Sequence, residues 1–251
     1  MTQKPAQRVL NYYGSKYRLA RYYDAPRYET IIEPFAGSAS YALHYHWHDV
    51  RLYDAYDRVC AVWDYVIKAS PDEIRQLPLI EPETHVYSLP IAQEAKWLIG
   101  WWTNIGTYHP VPTLSKWAIA HHAVNGSCTW TPKRREMIAQ TSARIKHWKI
   151  ECASYDTIEN TEATWFIDPP YQCKAGRRYP VNAIDFDHLA TWCRERQGQV
   201  QVCENSNSAP WLPFAPFREI TGANKGKTDQ RKKTTEVIWR NYEPDAPLTL
   251  I

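Results

Sequence analysis

No apolar run in this chain is long enough to cross a bilayer, and the opening residues, M-T-Q-K-P-A-Q-R, contain no signal-peptide core. A cytoplasmic protein with no membrane attachment is therefore expected. The six cysteines stand far apart and form no C-x-x-C pair, which argues against a zinc site of ordinary spacing and makes reduced thiols the default. Internal repeats and low-complexity tracts are absent. So is a full G-x-G-x-x-G fingerprint, which excludes a nicotinamide dehydrogenase of the usual kind. The formal net charge, +3, is too small to imply a polyanionic partner by itself. His44, His46 and His48 invite a metal reading, but on a helix only His44 and His48 share a face, and no acidic partner stands at the needed spacing. No metal is expected. Aromatic rings, by contrast, are plentiful: 12 Trp and 17 Tyr in 251 residues. They serve either as core or as stacking platforms. The length supports one sizeable core with an inserted lobe.

The most informative stretch is T-W-F-I-D-P-P-Y, Thr164 to Tyr171. Trp165-Phe166-Ile167 reads as the end of a buried strand, closed by the carboxylate of Asp168. Pro169 and Pro170 stiffen the chain that follows. The carbonyls of Asp168 and Pro169 have no ladder to join and are free to face a ligand, and Tyr171 adds a flat ring. In α/β sheets the carboxyl edge of the strands is where ligands bind. This set suits a planar group with an exocyclic amine: carboxylate and carbonyl accept its two N–H bonds, and the ring stacks on its face. Read alone, D-P-P-Y is equally a turn.

The rest of the chain gives that edge its company. Tyr12 to Lys16 reads Y-Y-G-S-K, a loop in which Ser15 can cap a short helix and Lys16 can meet an anion or a carbonyl oxygen; alone, a solvated lysine is the default. Thr30-Ile31-Ile32 is a short buried strand. It leads through Glu33 and Gly37 into a helix beginning near Ser38, the first unit of a Rossmann-like site. Val50 to Tyr53 forms a second strand ending at Asp54, placed to accept from ribose hydroxyls or to cap a helix over 55–68. Residues 65–148 lose the strand–helix alternation. Helices are expected over about 92–105, 114–123 and 133–146, with Trp97, Trp101, Trp102, Trp117, Trp130 and Trp148 mostly in the core. Lys133, Arg134 and Arg135 among these aromatics suit a nucleic-acid surface, and Gly126 to Arg135 is the candidate for base-edge contact. Alternation resumes with strands at Lys149–Cys152 (followed by Asp156), Thr164–Ile167, Gln199–Cys203, Phe214–Ile220 and Glu236–Asn241, and a helix over Asp185–Gln197. The polar stretch Gln172 to Asn182 is expected to be mobile. Lys225, Lys227, Arg231, Lys232 and Lys233 fall in a loop between two strands, a hairpin tip able to reach a phosphate backbone.

Y-x-G-S-K, then E-P-F-A-G-S-A, then a D-P-P-Y strand after a long insertion: jointly this order resembles the Dam class of DNA adenine-N6 methyltransferases, over residues 10 to about 241. V-C-E-N-S-N-S-A-P-W-L-P-F and T-E-V-I-W-R-N look like phage-type members. The resemblance implies a Rossmann-like, class I S-adenosylmethionine-dependent methyltransferase sheet formed by residues 1–64 and 149–251, with 65–148 as a helical target-recognition insertion. It implies that Tyr12 and Lys16, the loop Glu33, Pro34, Phe35, Ala36, Gly37 and Ser38, and Asp54, Asp156 and Asp168 hold S-adenosylmethionine. Asp168, Pro169, Pro170 and Tyr171 become the catalytic motif, acting on adenine flipped out of double-stranded DNA. A monomer is implied, in a bacterial or phage-infected cell, as part of a restriction–modification or phage methylation system. Two departures from the pattern are Tyr12, where tryptophan can occur, and Ala39, where a second glycine is often seen. Pro-Pro-Tyr motifs also serve enzymes acting on RNA adenine, cytosine N4 or a glutamine amide, and an inactive DNA-binding homologue is a further alternative.

Overall fold

The computed structural model describes residues 4–116, 118–120, 129–225 and 231–244, with backbone alone at residues 220–225 and 231–233. The strands are β1 (Thr30–Glu33), β2 (Asp49–Asp54), β3 (Lys149–Cys152), β4 (Ala163–Ile167), β5 (Gly198–Asn205), β6 (Ala215–Lys225) and β7 (Arg231–Arg240). They form one seven-stranded sheet in the order β3-β2-β1-β4-β5-β7-β6. The first five run parallel; β7 is antiparallel to β5, and β6 to β7. This is a Rossmann-like α/β fold with the strand order of class I methyltransferases.

Burial explains the strand sequences. All five residues of β4 are buried, as a central parallel strand covered on both faces requires. Alternate residues feed two cores: Ile31 and Phe166 point into one, Ile32, Trp165 and Ile167 into the other. On the first face lie α1 (Ser40–His44) and α2 (Asp57–Lys68), whose buried Val59, Val62, Trp63 and Val66 recur at helical spacing. On the second lies α6 (Phe186–Glu195), capped by Asp185, which accepts from the N–H groups of Asp187 and His188.

Between β2 and β3 the chain is helical: α2, α3 (Pro71–Gln76), α4 (Gln93–Gly100) and α5 (Pro132–Arg144). α3 and α5 open on Ser70 and Thr131 caps followed by proline at the first turn. The short α3 stands where no helix was expected, before the first of the three helices foreseen in this segment. The boundary expected at 64/65 lies inside α2. Leu98, Trp101, Trp102, Trp130 and Ile138 join Ile31, Val50 and Phe166 in one continuous core, so the helical segment and the sheet share their interior. Trp117 and the middle of the 114–123 helix lie outside the described residues, as does the start of the Gly126–Arg135 stretch.

Three local expectations change. No regular helix opens at Ser15; a 3-10 turn at Ala20–Tyr22 stands there. β6 and β7 pair as far as Lys225 and Arg231, so Lys225, Arg231, Lys232 and Lys233 belong to strands rather than to a loop; Lys227 lies outside the described residues. Gln172–Asn182 is packed, not free: it carries a 3-10 turn, Gly176–Arg178, and the Tyr179 hydroxyl donates to the Tyr13 carbonyl at 3.0 Å. A Cβ on Gly176 would overlap the Tyr171 backbone, which seats this turn directly on the D-P-P-Y motif.

Candidate active site

The sheet order reverses between β1 and β4, which are neighbours with parallel register. At such a reversal the loops leaving the two strands diverge to opposite faces and open a crevice. The glycine loop leaves β1 there and D-P-P-Y leaves β4, so the two motifs meet although about 130 residues separate them.

The glycine loop is fixed from three sides. The Ala36 N–H donates to the Tyr53 carbonyl at 2.8 Å, the Gly37 N–H to Asp54 Oδ2 at 2.9 Å, and Trp63 Nε1–H to the Gly37 carbonyl at 2.9 Å. Gly37 has φ +42°, and a Cβ there would lie 3.3 Å from the Tyr12 ring, so both the backbone conformation and the close ring favour glycine. Ala39 also lies in the left-handed region, at φ 45°. Hydroxyls of Ser15, Ser38 and Ser40 lie within 2.8–3.1 Å of one another and tie the N-terminal loop to the glycine loop.

Two acids of this region differ in surroundings. Glu33 is buried and accepts from the Ala42 N–H at 2.6 Å, which caps α1 from the neighbouring strand. Burial lifts its pKa to about 8, against the lowering effect of that bond. Asp54 accepts from the N–H groups of Gly37 and Tyr56, at 2.9 and 2.8 Å, and burial lifts its pKa to about 6. Each of its oxygens keeps a second lone pair for a ligand hydroxyl. Pro34 is buried beneath the loop, and Phe35 lies 5.5 Å from the ring of Tyr155. Asp156, next in the 3-10 turn after β3, is exposed.

At D-P-P-Y the expectation of a solvated lysine fails. Lys16 is buried, with Nζ 2.8 and 3.0 Å from the two oxygens of Asp168 and 3.4 Å from Glu236 Oε1. Burial alone would lower its pKa; Asp168 and Glu236 outweigh this and raise it, so the ammonium stays charged. It also lies 4.7 Å from the centre of the Tyr171 ring. Glu236, from β7, receives hydrogen bonds from the hydroxyls of Tyr171 at 2.6 Å and Tyr23 at 3.2 Å. Asp168, Cys203 and Glu236 bring metal-ligand atoms within 4.8 Å of one another, but the Lys16 ammonium already serves as the cation among them. Burial pushes the Cys203 thiol up, so it stays protonated.

Sequence reasoning missed Glu236, Tyr23 and Tyr179. The signal for Glu236 was a lone carboxylate leading the apolar run Val237-Ile238-Trp239; it was obscured by the charge run just before it. Trp101 is a further addition. Its ring lies 6.0 Å from that of Tyr12, and its buried Nε1–H has no hydrogen-bond partner among the described residues.

The cations proposed to touch nucleic acid divide. Lys133 is exposed. The Arg134 guanidinium stacks 4.0 Å over Trp102, and Arg135 donates to the Leu77 carbonyl at 2.5 Å. Nothing is described of the Lys225, Arg231, Lys232 and Lys233 side chains.

No protein-family model matches the chain, and no curated protein matches it in sequence. Among solved structures it is similar to the rRNA methyltransferase AviRa from Streptomyces viridochromogenes, at 12% identity, covering 84% of this chain and 76% of that one, with a TM-score of 0.34. That similarity is low, and the functional reading rests on the residues themselves.

Proposed function

We propose that the protein transfers a methyl group from S-adenosylmethionine to the N6 amine of adenine in double-stranded DNA. One observation carries this reading: the D-P-P-Y carboxylate and ring stand beside the glycine loop at the reversal point of the sheet, held by a buried lysine.

The residues around the glycine loop fit the cofactor. Acceptors on Asp54, the Tyr12 ring and the unpartnered Trp101 N–H suit a ligand with ribose hydroxyls, a cationic centre and a carboxylate, and Glu33 shapes the loop beneath it through its bond to Ala42. When bound, S-adenosylmethionine supplies an electrophilic methyl group on a positively charged sulfur.

The chain's own groups prepare the amine. An adenine amine is a poor nucleophile because its lone pair is delocalised into the ring. Asp168 and the Pro169 carbonyl accept its two N–H bonds, which favours a pyramidal nitrogen with its lone pair free. Lys16 takes one lone pair on each Asp168 oxygen, and an ionised carboxylate has about four, so capacity remains for the amine. Positive charge then grows on the nitrogen beside a fixed negative group in a water-poor site, where such stabilisation is strongest. The Tyr171 ring stacks on the base, worth on the order of 1–3 kcal/mol. A base inside a duplex does not reach this site, so it is flipped out. Exposed Lys174 and Arg177, on the turn seated against Tyr171, support a phosphate-bearing substrate.

The test is incubation with S-adenosylmethionine and unmethylated plasmid DNA, with total RNA in parallel, followed by digestion and nucleoside mass spectrometry. N6-methyladenine in the DNA is the expected result. Methylation of RNA alone would overturn the choice of DNA, and no methylated base in either would overturn the reading. Asp168→Ala should abolish transfer while leaving the circular dichroism spectrum unchanged; near-normal turnover in that variant would remove Asp168 from the reaction.

A further inference from the structure

Glu236 lies on β7, opposite Asn205 of β5, far in sequence from the glycine loop and from D-P-P-Y. It is 1% exposed, so a carboxylate here is costly unless it is paired and hydrogen-bonded. Its Oε1 faces three donors: the Tyr171 hydroxyl at 2.6 Å, the Tyr23 hydroxyl at 3.2 Å and the Lys16 ammonium at 3.4 Å. Burial, with the charge of Asp168, pushes its pKa up, while the Lys16 ammonium and the Tyr171 hydroxyl act against this; an ionised carboxylate is an acceptor only, and three converging donors match that state.

Two consequences follow for the neighbouring groups. First, the Tyr171 ring is tethered at its far end, by a short bond to a charged acceptor, the strong kind of hydrogen bond. Second, Lys16 stands between two carboxylates. A lone Asp168–Lys16 pair would be neutral; with Glu236 present, one ammonium between two carboxylates leaves one negative charge. That surplus lies close to the place where an amine acquires positive charge.

We infer that Glu236 is a positioning residue of the reaction, which fixes the ring of Tyr171 through its hydroxyl and, by sharing Lys16, leaves Asp168 its negative charge for the substrate amine. The inference rests on the methyl-transfer reading. It assigns a role to a residue outside both motifs, acting through Tyr171 and Lys16 rather than by touching the substrate.

The experiment is steady-state methyl transfer by the full chain carrying Glu236→Gln, Tyr171→Phe or both, normalised to folded protein. Glu236→Gln keeps the shape and removes the charge, and with it both the strong bond that tethers Tyr171 and the surplus negative charge beside Lys16. A fall in kcat of tenfold or more is expected, with KM for S-adenosylmethionine within threefold of wild type. Tyr171→Phe keeps the ring and removes the tether; it should lower kcat by a smaller factor and raise KM for DNA. The double variant should be no more than about twofold worse than Glu236→Gln, because both changes break the same link. A merely structural Glu236 would lower the folded fraction and leave kcat per folded molecule intact, and that result would overturn the inference. So would a double variant that loses the product of the two single effects. If Glu236→Gln does not fold, Tyr171→Phe decides: wild-type kcat and KM there overturn the inference, and a loss with the ring retained supports it. A wild-type protein that transfers no methyl group overturns the functional reading and this inference together. An active wild type with an equally active Glu236→Gln overturns the inference alone.

Discussion

Glu33 should make the protein lose stability as the pH rises, and the size of the effect can be worked from its surroundings. The side chain is 2% exposed and its carboxyl holds one hydrogen bond, from the Ala42 N–H at 2.6 Å. Burial raises its pKa from 4.5 to about 8; the Ala42 bond opposes this and the charge of Asp168 adds to it. A carboxyl with a higher pKa folded than unfolded binds its proton more tightly in the native state. Its contribution is therefore complete below pH 4.5 and is lost as the pH rises through 8. The interval from 4.5 to about 8, at 1.36 kcal/mol per pH unit, sets a ceiling of about 5 kcal/mol. Water entry and relaxation around the ionised group reduce the observable part to on the order of 2–3 kcal/mol. Glu33→Gln removes the titration and keeps an oxygen for Ala42. Urea unfolding of both proteins at pH 6 and pH 9, followed by tryptophan fluorescence, isolates the effect, because Asp54 titrates equally in both. The stretch from pH 6 to about 8 covers somewhat over half of that interval, so wild type should lose about 1–2 kcal/mol more than the variant between the two pH values. Parallel losses would refute the argument, as would a variant more sensitive to alkali than wild type.

Two further changes test the packing of the site. Lys16→Met leaves Asp168 and the buried Glu236 facing each other without a cation, and should cost about 3 kcal/mol in urea unfolding; unchanged stability would mean that the cluster is neutralised by protonation instead. Gly37 and Ala39 share left-handed backbone, at φ +42° and 45°, so opposite substitutions should act oppositely. Gly37→Ala should destabilise by about 1–2 kcal/mol and weaken cofactor binding in calorimetry, whereas Ala39→Gly should be neutral or stabilising by up to about 1 kcal/mol. Destabilisation by Ala39→Gly would show that its methyl group packs for more than its backbone costs.

The parts of this site legible in the sequence are those whose signal is local. β1 and β4 are short apolar runs ending in an acid, and a central parallel strand must look that way because both faces are covered. The helix expected over 133–146 is found at Pro132–Arg144, for equally local reasons: Thr131 caps it and proline opens its first turn. Lys16 illustrates the limit. Nothing near it in sequence distinguishes a buried ammonium from a solvated one, because both partners that keep it charged lie far along the chain, at Asp168 and Glu236. Glu236 was hidden twice over: it follows a run of lysines and threonines that reads as a solvated loop, and its partners come from β4 and the N-terminal loop. Pairing of β7 with β5 is the step that carries it to the site, and strand pairing is the least local information a sequence holds.

The tryptophans show the same logic with a functional consequence. The expectation that the tryptophans of 65–148 are mostly core holds for Trp101, Trp102 and Trp130, which are fully buried in the core that also holds Ile31 and Phe166. The helical segment therefore is not a module resting on the sheet. Its Trp101 ring packs near Tyr12, whose own ring lies against Gly37, and the backbone of Tyr13 donates to the Thr107 carbonyl at 3.1 Å. A shift of the segment would pass through Tyr12 to the glycine loop by direct contact, with no hinge between. On the functional reading proposed above, this makes the segment a wall of the cofactor pocket as well as a surface toward the substrate. It also couples the two: changes that loosen the 101–108 turn should weaken cofactor binding even when they leave every motif residue in place.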